Sequence, residues 1–285
     1  MAQRKVLVVI PLTRPGPLDL QRVGSVVRNM GNGIRTRGLT PVFHVAYSAG
    51  GKKALRKAIG STIEEMSFFK VRKGIGFGEA LINLIDGGVK KHSPDFVMPG
   101  YGDYLRESEE TADMLKQVVR RNGPDFATGA WKRFFDTRLE LPHPQYLNEI
   151  AASGAVTYAN PRFKPRDFQP QLAIGQAVNE GKSFQTFGGF FILRAVKWNE
   201  LKKELYSTLK GAKEFYHGWG AEPALLLSAL NRGMRVENVF FHRGYEHDFP
   251  SDRKKFVASR LNQFEHAMGV VKHFLNATGQ TKKLW

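Results

Sequence analysis

The sequence predicts an α/β protein in which a mostly parallel sheet is flanked by helices. Short apolar runs alternate with amphipathic segments along the chain, and glycine-rich turns follow two of these runs. The 285 residues are enough to bury a core without disulfides, and the chain contains no cysteine. In sheets of this kind, ligands bind at the carboxyl ends of the strands.

The predicted elements form strand and helix pairs through the first half of the chain. The strands are predicted at residues 5–11, 41–47, 68–71 and 95–98, and the helices at 19–37, 52–65, 79–91 and 107–121. The rest is predicted to hold an irregular insertion at 124–170, strands at 187–193 and 236–241, and helices at 196–209, 223–232 and 251–275. We therefore divide the chain into an α/β half (1–123), a second half (124–250) and a C-terminal amphipathic helix with a basic tail (251–285).

The chain is strongly basic. Lysine and arginine number 43 against 26 aspartates and glutamates, which gives a net charge of +17 and a pI near 10.0. This excess favours a polyanionic partner, with a merely solvated basic surface as the alternative. No apolar run reaches the roughly 20 residues that a membrane-spanning helix needs. We expect no transmembrane segment, a cytoplasmic location, and nucleic acid as partner in preference to a membrane surface.

A basic turn with several glycines follows the third predicted strand, Arg72-Lys73-Gly74-Ile75-Gly76-Phe77-Gly78. Glycine lets backbone amides approach a phosphate, and a helix amino terminus adds positive potential. The side chains of Arg72 and Lys73 add formal charge. The pattern predicts a phosphate site at Arg72, Lys73, Gly74 and Gly76, and a tight strand-to-helix turn is the structural alternative.

Three further features accompany this turn. The first strand ends in Pro11, the fourth continues into Tyr101-Gly102-Asp103, and the second half holds Gly188-Gly189 and Gly218-Trp219-Gly220-Ala221-Glu222. In this order, the segments resemble the GT-A glycosyltransferases that use nucleotide sugars, especially the polyprenol-phosphate mannose synthase and the mannosylglycerate or glucosyl-phosphoglycerate synthase types. The resemblance covers about residues 5–250 and implies a GT-A-like (Rossmann-like) sheet.

The resemblance implies a donor site and a metal. Pro11 and Tyr101 would line the site of the nucleotide-sugar donor beside the basic turn. The family carries Asp-x-Asp after the fourth strand, where the carboxylates hold Mn²⁺ or Mg²⁺ on the diphosphate. Here Tyr101 occupies the position of the first acid. The resemblance therefore implies Asp103 as the catalytic metal ligand that this motif retains, and an aspartate that only hydrogen-bonds within its turn is the alternative.

The loop after the last predicted strand supplies the other candidate metal ligand. Retaining relatives place a metal-ligating histidine there, which implies His247, with His242 in reserve. If turnover needs no metal, Arg72 and Lys73 are the groups that would stabilise the leaving diphosphate.

The same resemblance makes residues 124–250 the acceptor-binding half. Gly188, Gly189 and Trp219 match the turns that flank the acceptor in the family. Glu222 matches the acidic residue that acts there as the base or binds the acceptor. At a predicted helix start, the helix dipole favours the ionised carboxylate that both roles need. A helix-start acid that only complements the dipole is the alternative.

Basic and aromatic residues interleave between Trp131 and Arg166, a pattern that suits phosphate contact combined with base stacking. The candidate acceptor contacts there are Arg133, Arg162 and Lys164, and a solvated loop that packs its aromatic residues onto the domain is the alternative. The leading function is transfer of a hexose or pentose from a nucleoside diphosphate to an anionic acceptor, including a modified base in DNA. A nucleotidyltransferase and a nucleic-acid-binding protein on a degenerate transferase scaffold are the alternatives.

Overall fold

The structure of the protein is a computed structural model. It describes residues 3–12, 17–47, 51–60, 65–72, 74–101, 108–131, 190–209, 211–212, 220–241, 269–270, 273–274 and 276–279.

Strands and helices alternate through the first part of the described chain. The strands are β1 (Lys5–Ile10), β2 (Thr40–Tyr47), β3 (Met66–Lys70), β4 (Phe96–Pro99), β5 (Phe126–Trp131), β6 (Phe191–Arg194) and β7 (Val236–Phe241). The helices are α1 (Pro17–Thr36), α2 (Gly51–Ile59), α3 (Phe77–His92), α4 (Ser108–Val118), α5 (Trp198–Thr208) and α6 (Ala221–Asn231). A single 3-10 turn, Ala195–Lys197, joins β6 to α5.

The seven strands form one sheet in the order β3-β2-β1-β4-β6-β5-β7. Strand β6 runs antiparallel to β4 and β5, and every other pair of neighbours is parallel. In the register of the central strands, Val6 lies opposite Pro41 on one side and Phe96 on the other. The carboxyl ends of β1, β2, β3 and β4 therefore meet at one edge of the sheet.

Helices cover both faces of the sheet and enclose two cores. Because neighbouring residues of a strand point to opposite faces, Leu7 and Val9 of β1 lie in the core with α3, α5 and α6. Val6, Val8 and Ile10 lie in the other core, with α1, α2 and α4. All five side chains are fully buried. An apolar run buried on both sides is typical of a central parallel strand.

The structure confirms the predicted fold class and corrects two elements. Residues 126–131 were predicted as irregular but form β5, which pairs with β6 and β7. The predicted helix 52–65 ends earlier, at Ile59, because Gly60 takes a left-handed conformation with φ 78°. The other predicted helices and strands are confirmed within a few residues wherever the structure describes them.

The C-terminal helix is described at only a few positions. Residues 269–270, 273–274 and 276–277 are helical, and Val270 and Phe274 are fully buried in the core with α5 and α6. Phe274 lies in the predicted C-terminal amphipathic helix, and its burial means that this helix packs an apolar residue into the core. The boundaries at residues 123 and 250 stay predictions.

Candidate active site

The carboxyl ends of β1 to β4 gather several of the residues predicted for the donor site. Pro11 follows β1 and is buried, whereas Arg72 follows β3 and has an exposed side chain. Tyr101 follows β4 and is 8% exposed. In a parallel sheet these positions share one edge, so the fold brings Pro11, Arg72 and Tyr101 to the same side of the molecule.

The close approach of the chain after β4 sets the position of Tyr101. The amide of Gly100 donates to the carbonyl oxygen of Val9 at 2.8 Å, so the pairing with β1 continues beyond the strand. A Cβ at Gly100 would lie 2.9 Å from Val8 Cγ1 and 3.1 Å from Met30 Sδ. Any larger residue would push the segment away from β1 and α1. Glycine at this position thus seats Tyr101 against the sheet.

Tyr101 reaches the first turn of α6. Its hydroxyl donates a hydrogen bond to Glu222 Oε1 at 2.6 Å, a length typical of an O–H donor to a carboxylate. Glu222 stands one residue after Ala221, where α6 begins, and the positive end of the helix dipole favours its charge. Two predicted site residues 121 positions apart in sequence are therefore in direct contact.

The glycine turn lies beside Tyr101. The ring of Phe77, the first residue of α3, is 6.0 Å from the ring of Tyr101 at an interplanar angle of 36°. Before it, Gly74 has φ 88°, a conformation that glycine adopts at little cost. Gly76 is the N-cap of α3 in an extended conformation and makes no side-chain capping bond. The amino terminus of α3, a helix of 16 residues, therefore lies at the same edge as Tyr101 and Arg72.

Several predicted site residues lie outside the described residues, so their placement stays a prediction. They are Lys73, Asp103, Arg133, Arg162, Lys164, Gly188, Gly189, Trp219 and His247. Within the part of the chain that is described, no group of three or more His, Asp or Glu side chains could hold a metal ion. Asp103 and His247 stay the predicted metal ligands.

A second polar cluster, which sequence reasoning missed, links β2, β3 and α3. Ser67 Oγ lies 2.5 Å from His44 Nδ1 and 2.6 Å from His92 Nε2. His92 Nδ1 lies 3.1 Å from Glu65 Oε1, and Lys5 also pairs with Glu65. His44, a polar residue inside an apolar strand, was the one sequence signal of this cluster. Its partners Glu65, Ser67 and His92 lie 21 to 48 residues away in sequence.

The centre of this cluster, His44 and Ser67, is buried and lies apart from the strand ends that carry Tyr101. Ser67 is 3% exposed in the body of β3, so no substrate reaches its hydroxyl. Burial, with the nearby charges of His92 and Lys91, lowers the pKa of His44 from 6.5 to about 4. His44 Nε2 is buried and has no hydrogen-bond partner among the described residues. His44 is therefore neutral at pH 7.

Comparison with known proteins rests on structure, since no protein-family model and no curated sequence matches the chain. A similar solved structure is glucosyl-3-phosphoglycerate synthase from Mycobacterium tuberculosis, in complex with Mn²⁺, uridine diphosphate and phosphoglyceric acid. It is 16% identical, with a TM-score of 0.52, over 97% of this chain and 79% of that one. The chain has a GT-A-like fold.

The same GT-A-like fold is shared with a second kind of enzyme. The 4-diphosphocytidyl-2C-methyl-D-erythritol synthase from Anaerococcus prevotii is 10% identical, with a TM-score of 0.51, over 91% of this chain and 98% of that one. Identities this low establish the fold alone. Among the described helices, none is long and apolar enough to cross a membrane.

Proposed function

We propose that this protein transfers a glycosyl group from a nucleoside-diphosphate sugar to an anionic acceptor. The observation that carries the proposal is the 2.6 Å hydrogen bond from Tyr101 to Glu222 at the carboxyl edge of the sheet. It joins a residue at the predicted donor side to the predicted acceptor-side acid. The GT-A-like fold shared with a glucosyltransferase supports the same reading.

The donor diphosphate would bind at the turn that precedes α3. The amino terminus of α3 supplies positive potential, and Arg72 adds an exposed guanidinium at the same edge. Lys73 is the proposed second cation. Pro11 and Tyr101 would line the site on the β1 and β4 sides, where the backbone is held by the bond from Gly100 to Val9.

Glu222 is the proposed acceptor-orienting base. In the reaction, the bond between the anomeric carbon and the diphosphate oxygen breaks, and the acceptor oxygen bonds to that carbon. The hydroxyl proton passes to a carboxylate oxygen of Glu222. The hydrogen bond from Tyr101 fixes the direction of the carboxylate, which favours a productive geometry. Gly188, Gly189 and Trp219 are the proposed acceptor-side contacts.

Asp103 and His247 are the residues that would hold a divalent cation. Mn²⁺ or Mg²⁺ bound there would neutralise charge on the leaving diphosphate. We place Arg133, Arg162 and Lys164 at the acceptor, where their charge suits a polyanion such as DNA carrying a modified base. A cytoplasmic location accords with that acceptor.

The proposal is tested by following release of nucleoside diphosphate from a panel of nucleotide sugars, with and without Mn²⁺. Glu222→Gln keeps the size of the side chain and removes the base, so we expect at least a hundredfold loss of turnover. Glu200→Gln, on α5 and paired with Lys197, is the matched control and should keep full activity. Full activity in Glu222→Gln would remove this residue from the mechanism.

Nucleotidyl transfer is the second candidate function. It is favoured by the fold shared with 4-diphosphocytidyl-2C-methyl-D-erythritol synthase. The match covers 98% of that enzyme's chain. A nucleotidyltransferase would consume a nucleoside triphosphate and a phosphorylated alcohol and would release pyrophosphate. Assaying pyrophosphate from triphosphates alongside diphosphate from nucleotide sugars separates the two candidates.

A further inference from the structure

Positive charge is concentrated in one stretch of the chain. Residues 20–78 contain eleven lysines and arginines against two acids, Glu64 and Glu65. These 59 of 285 residues therefore carry +9 of the net charge of +17. No acidic residue occurs between Asp19 and Glu64. A field of one sign over a continuous surface attracts polyanions.

Helix α2 presents the densest part of this charge. Lys52, Lys53, Arg56 and Lys57 are all exposed, whereas Leu55 and Ile59 are buried in the core with α1 and β2. The helix has no acidic residue. Because its apolar stripe is already used in the fold, the exposed side of α2 is cationic along its whole length.

The edge of the sheet extends this surface. Strand β3 is the last strand on its side, and its Phe68 ring lies 5.8 Å from Lys52 Nζ and 5.3 Å from Arg56 Cζ. Lys70, two residues beyond Phe68 on the same side of the strand, is exposed. We call Lys52, Lys53, Arg56, Lys57 and Lys70 the cationic face. Within the described residues, no carboxylate forms an ion pair with it.

We propose that the cationic face docks the phosphate backbone of a nucleic acid. Lys52 and Arg56, like Lys53 and Lys57, are four residues apart, so each pair is separated by about 6 Å along the helix. Two such rows can each contact successive phosphates of one strand. Phe68 is covered by Lys52 and Arg56, so binding uses phosphates and does not depend on base sequence.

A membrane fits this face less well. Helices that bind at the bilayer interface insert their apolar side, and α2 buries that side in the protein. The exposed large hydrophobic residues of the described chain are Val196, in the 3-10 turn before α5, and Tyr206, within α5. Helix α5 packs on the opposite face of the sheet from α2. The cationic face therefore offers charge and no apolar anchor.

The test measures binding of the full chain to a labelled DNA duplex of about 24 base pairs by fluorescence anisotropy, between about 50 and about 200 mM salt. Lys53→Glu with Lys57→Glu should weaken binding at least tenfold and reduce the slope of log K against log salt by about two. The cations that lie over the Phe68 ring, Lys52 and Arg56, are kept in this variant, and an unchanged melting temperature confirms that it folds. A second duplex of different sequence should bind equally.

The matched control reverses the same number of charges on the helices of the opposite face of the sheet, α3 and α5. Lys91→Glu with Lys203→Glu changes two exposed lysines, one at the end of α3 and one on α5. It should leave affinity and salt slope within about twofold of the wild type. Equal losses in both double variants would mean that net charge alone acts, which overturns the proposal.

Two other outcomes would also overturn it. The first is that the duplex binds with the wild-type salt slope in the Lys53 and Lys57 variant. The second is that the chain binds vesicles containing phosphatidylserine through these lysines and leaves DNA unbound, which would assign the face to membranes. None of these measurements involves Tyr101 or Glu222, so the docking proposal and the proposed glycosyl transfer fail independently.

Discussion

At the scale of single residues, Tyr101 has two possible roles: its hydroxyl can position Glu222, or the residue can bind the donor. The hydroxyl donates to Glu222 at 2.6 Å, and the ring lies beside Phe77 at the glycine turn. If the hydroxyl positions the base, its removal affects the chemical step. If the residue instead binds the donor, its removal affects donor affinity.

Tyr101→Phe therefore gives a direct prediction. Loss of one hydrogen bond to a carboxylate should lower kcat about tenfold, because Glu222, the proposed base, is no longer held in one direction. The KM for the nucleotide sugar should stay within about twofold, since the ring is kept. Steady-state kinetics over a range of donor concentrations measure both values. Tyr206→Phe, exposed on α5, is the control. A raised KM with unchanged kcat would assign Tyr101 to donor binding alone.

Sequence patterns identified Tyr101 and Glu222 separately but not their contact. Tyr101 follows an apolar strand and Glu222 begins a helix, and both signals are local. Their distance depends on which strands are neighbours, and β6, the antiparallel strand beside β4, lies between them in sequence. That order is a property of the whole sheet, so no motif of a few residues encodes it.

At the scale of elements, the buried cluster between β2, β3 and α3 makes stability depend on pH. His44 is packed against Ser67 and Phe69 of β3 and against Gly87 and His92 of α3, with Lys91 nearby. Its pKa falls from 6.5 to about 4 on folding, so the unfolded chain binds more protons between these values. The contribution of His44 to the free energy of unfolding is fully present above pH 6.5 and is lost as the pH falls toward 4.

The expected contribution of His44 is about 3 kcal/mol over this interval. Chemical denaturation at a series of pH values from 7 to 4 should show the loss in the wild type and a shallower loss in His44→Leu. Carboxylates such as Glu65 also have a lowered pKa and lose stability in acid, so the difference between the two proteins isolates His44. His273→Leu is the control. Parallel curves for wild type and His44→Leu would contradict the prediction.

Strands with a strong hydrophobic pattern were predicted correctly. A strand that depends on pairing with neighbouring strands was not. Strand β1 is a run of buried aliphatic residues, and its position was predicted correctly. Strand β5 reads Phe-Ala-Thr-Gly-Ala-Trp, and three of its four central residues are alanine or glycine, which are depleted in strands. It becomes a strand because β6 and β7 supply hydrogen-bond partners on both sides. The polar cluster was missed for a related reason, since its members meet only after β2 and β3 pair.

At the scale of the whole molecule, the proposed donor site predicts a change in the melting temperature. A ligand that binds only the native protein raises its stability by about 2.7 kcal/mol at a hundred times its Kd. For a chain of this size, a thermal shift of roughly 5–10 °C follows. A screen of nucleoside diphosphates and nucleotide sugars, with and without Mn²⁺, measures it. If none of these ligands gives a shift at millimolar concentration, the donor site is absent.

Glycine variants distinguish ligand binding at the turn from general strain. Gly76 has φ −79°, which any residue adopts, so Gly76→Val should keep the melting temperature of the free protein and abolish the ligand shift. Gly74→Val should lower the melting temperature of the free protein as well, because φ there is 88°.

Gly60→Val is the control, since it introduces the same kind of strain at φ 78° after α2, away from the turn. It should lower the free melting temperature and keep the full ligand shift. A ligand shift retained in Gly76→Val would move the diphosphate away from the turn before α3, and the positive potential of that helix would then have no part in binding the donor.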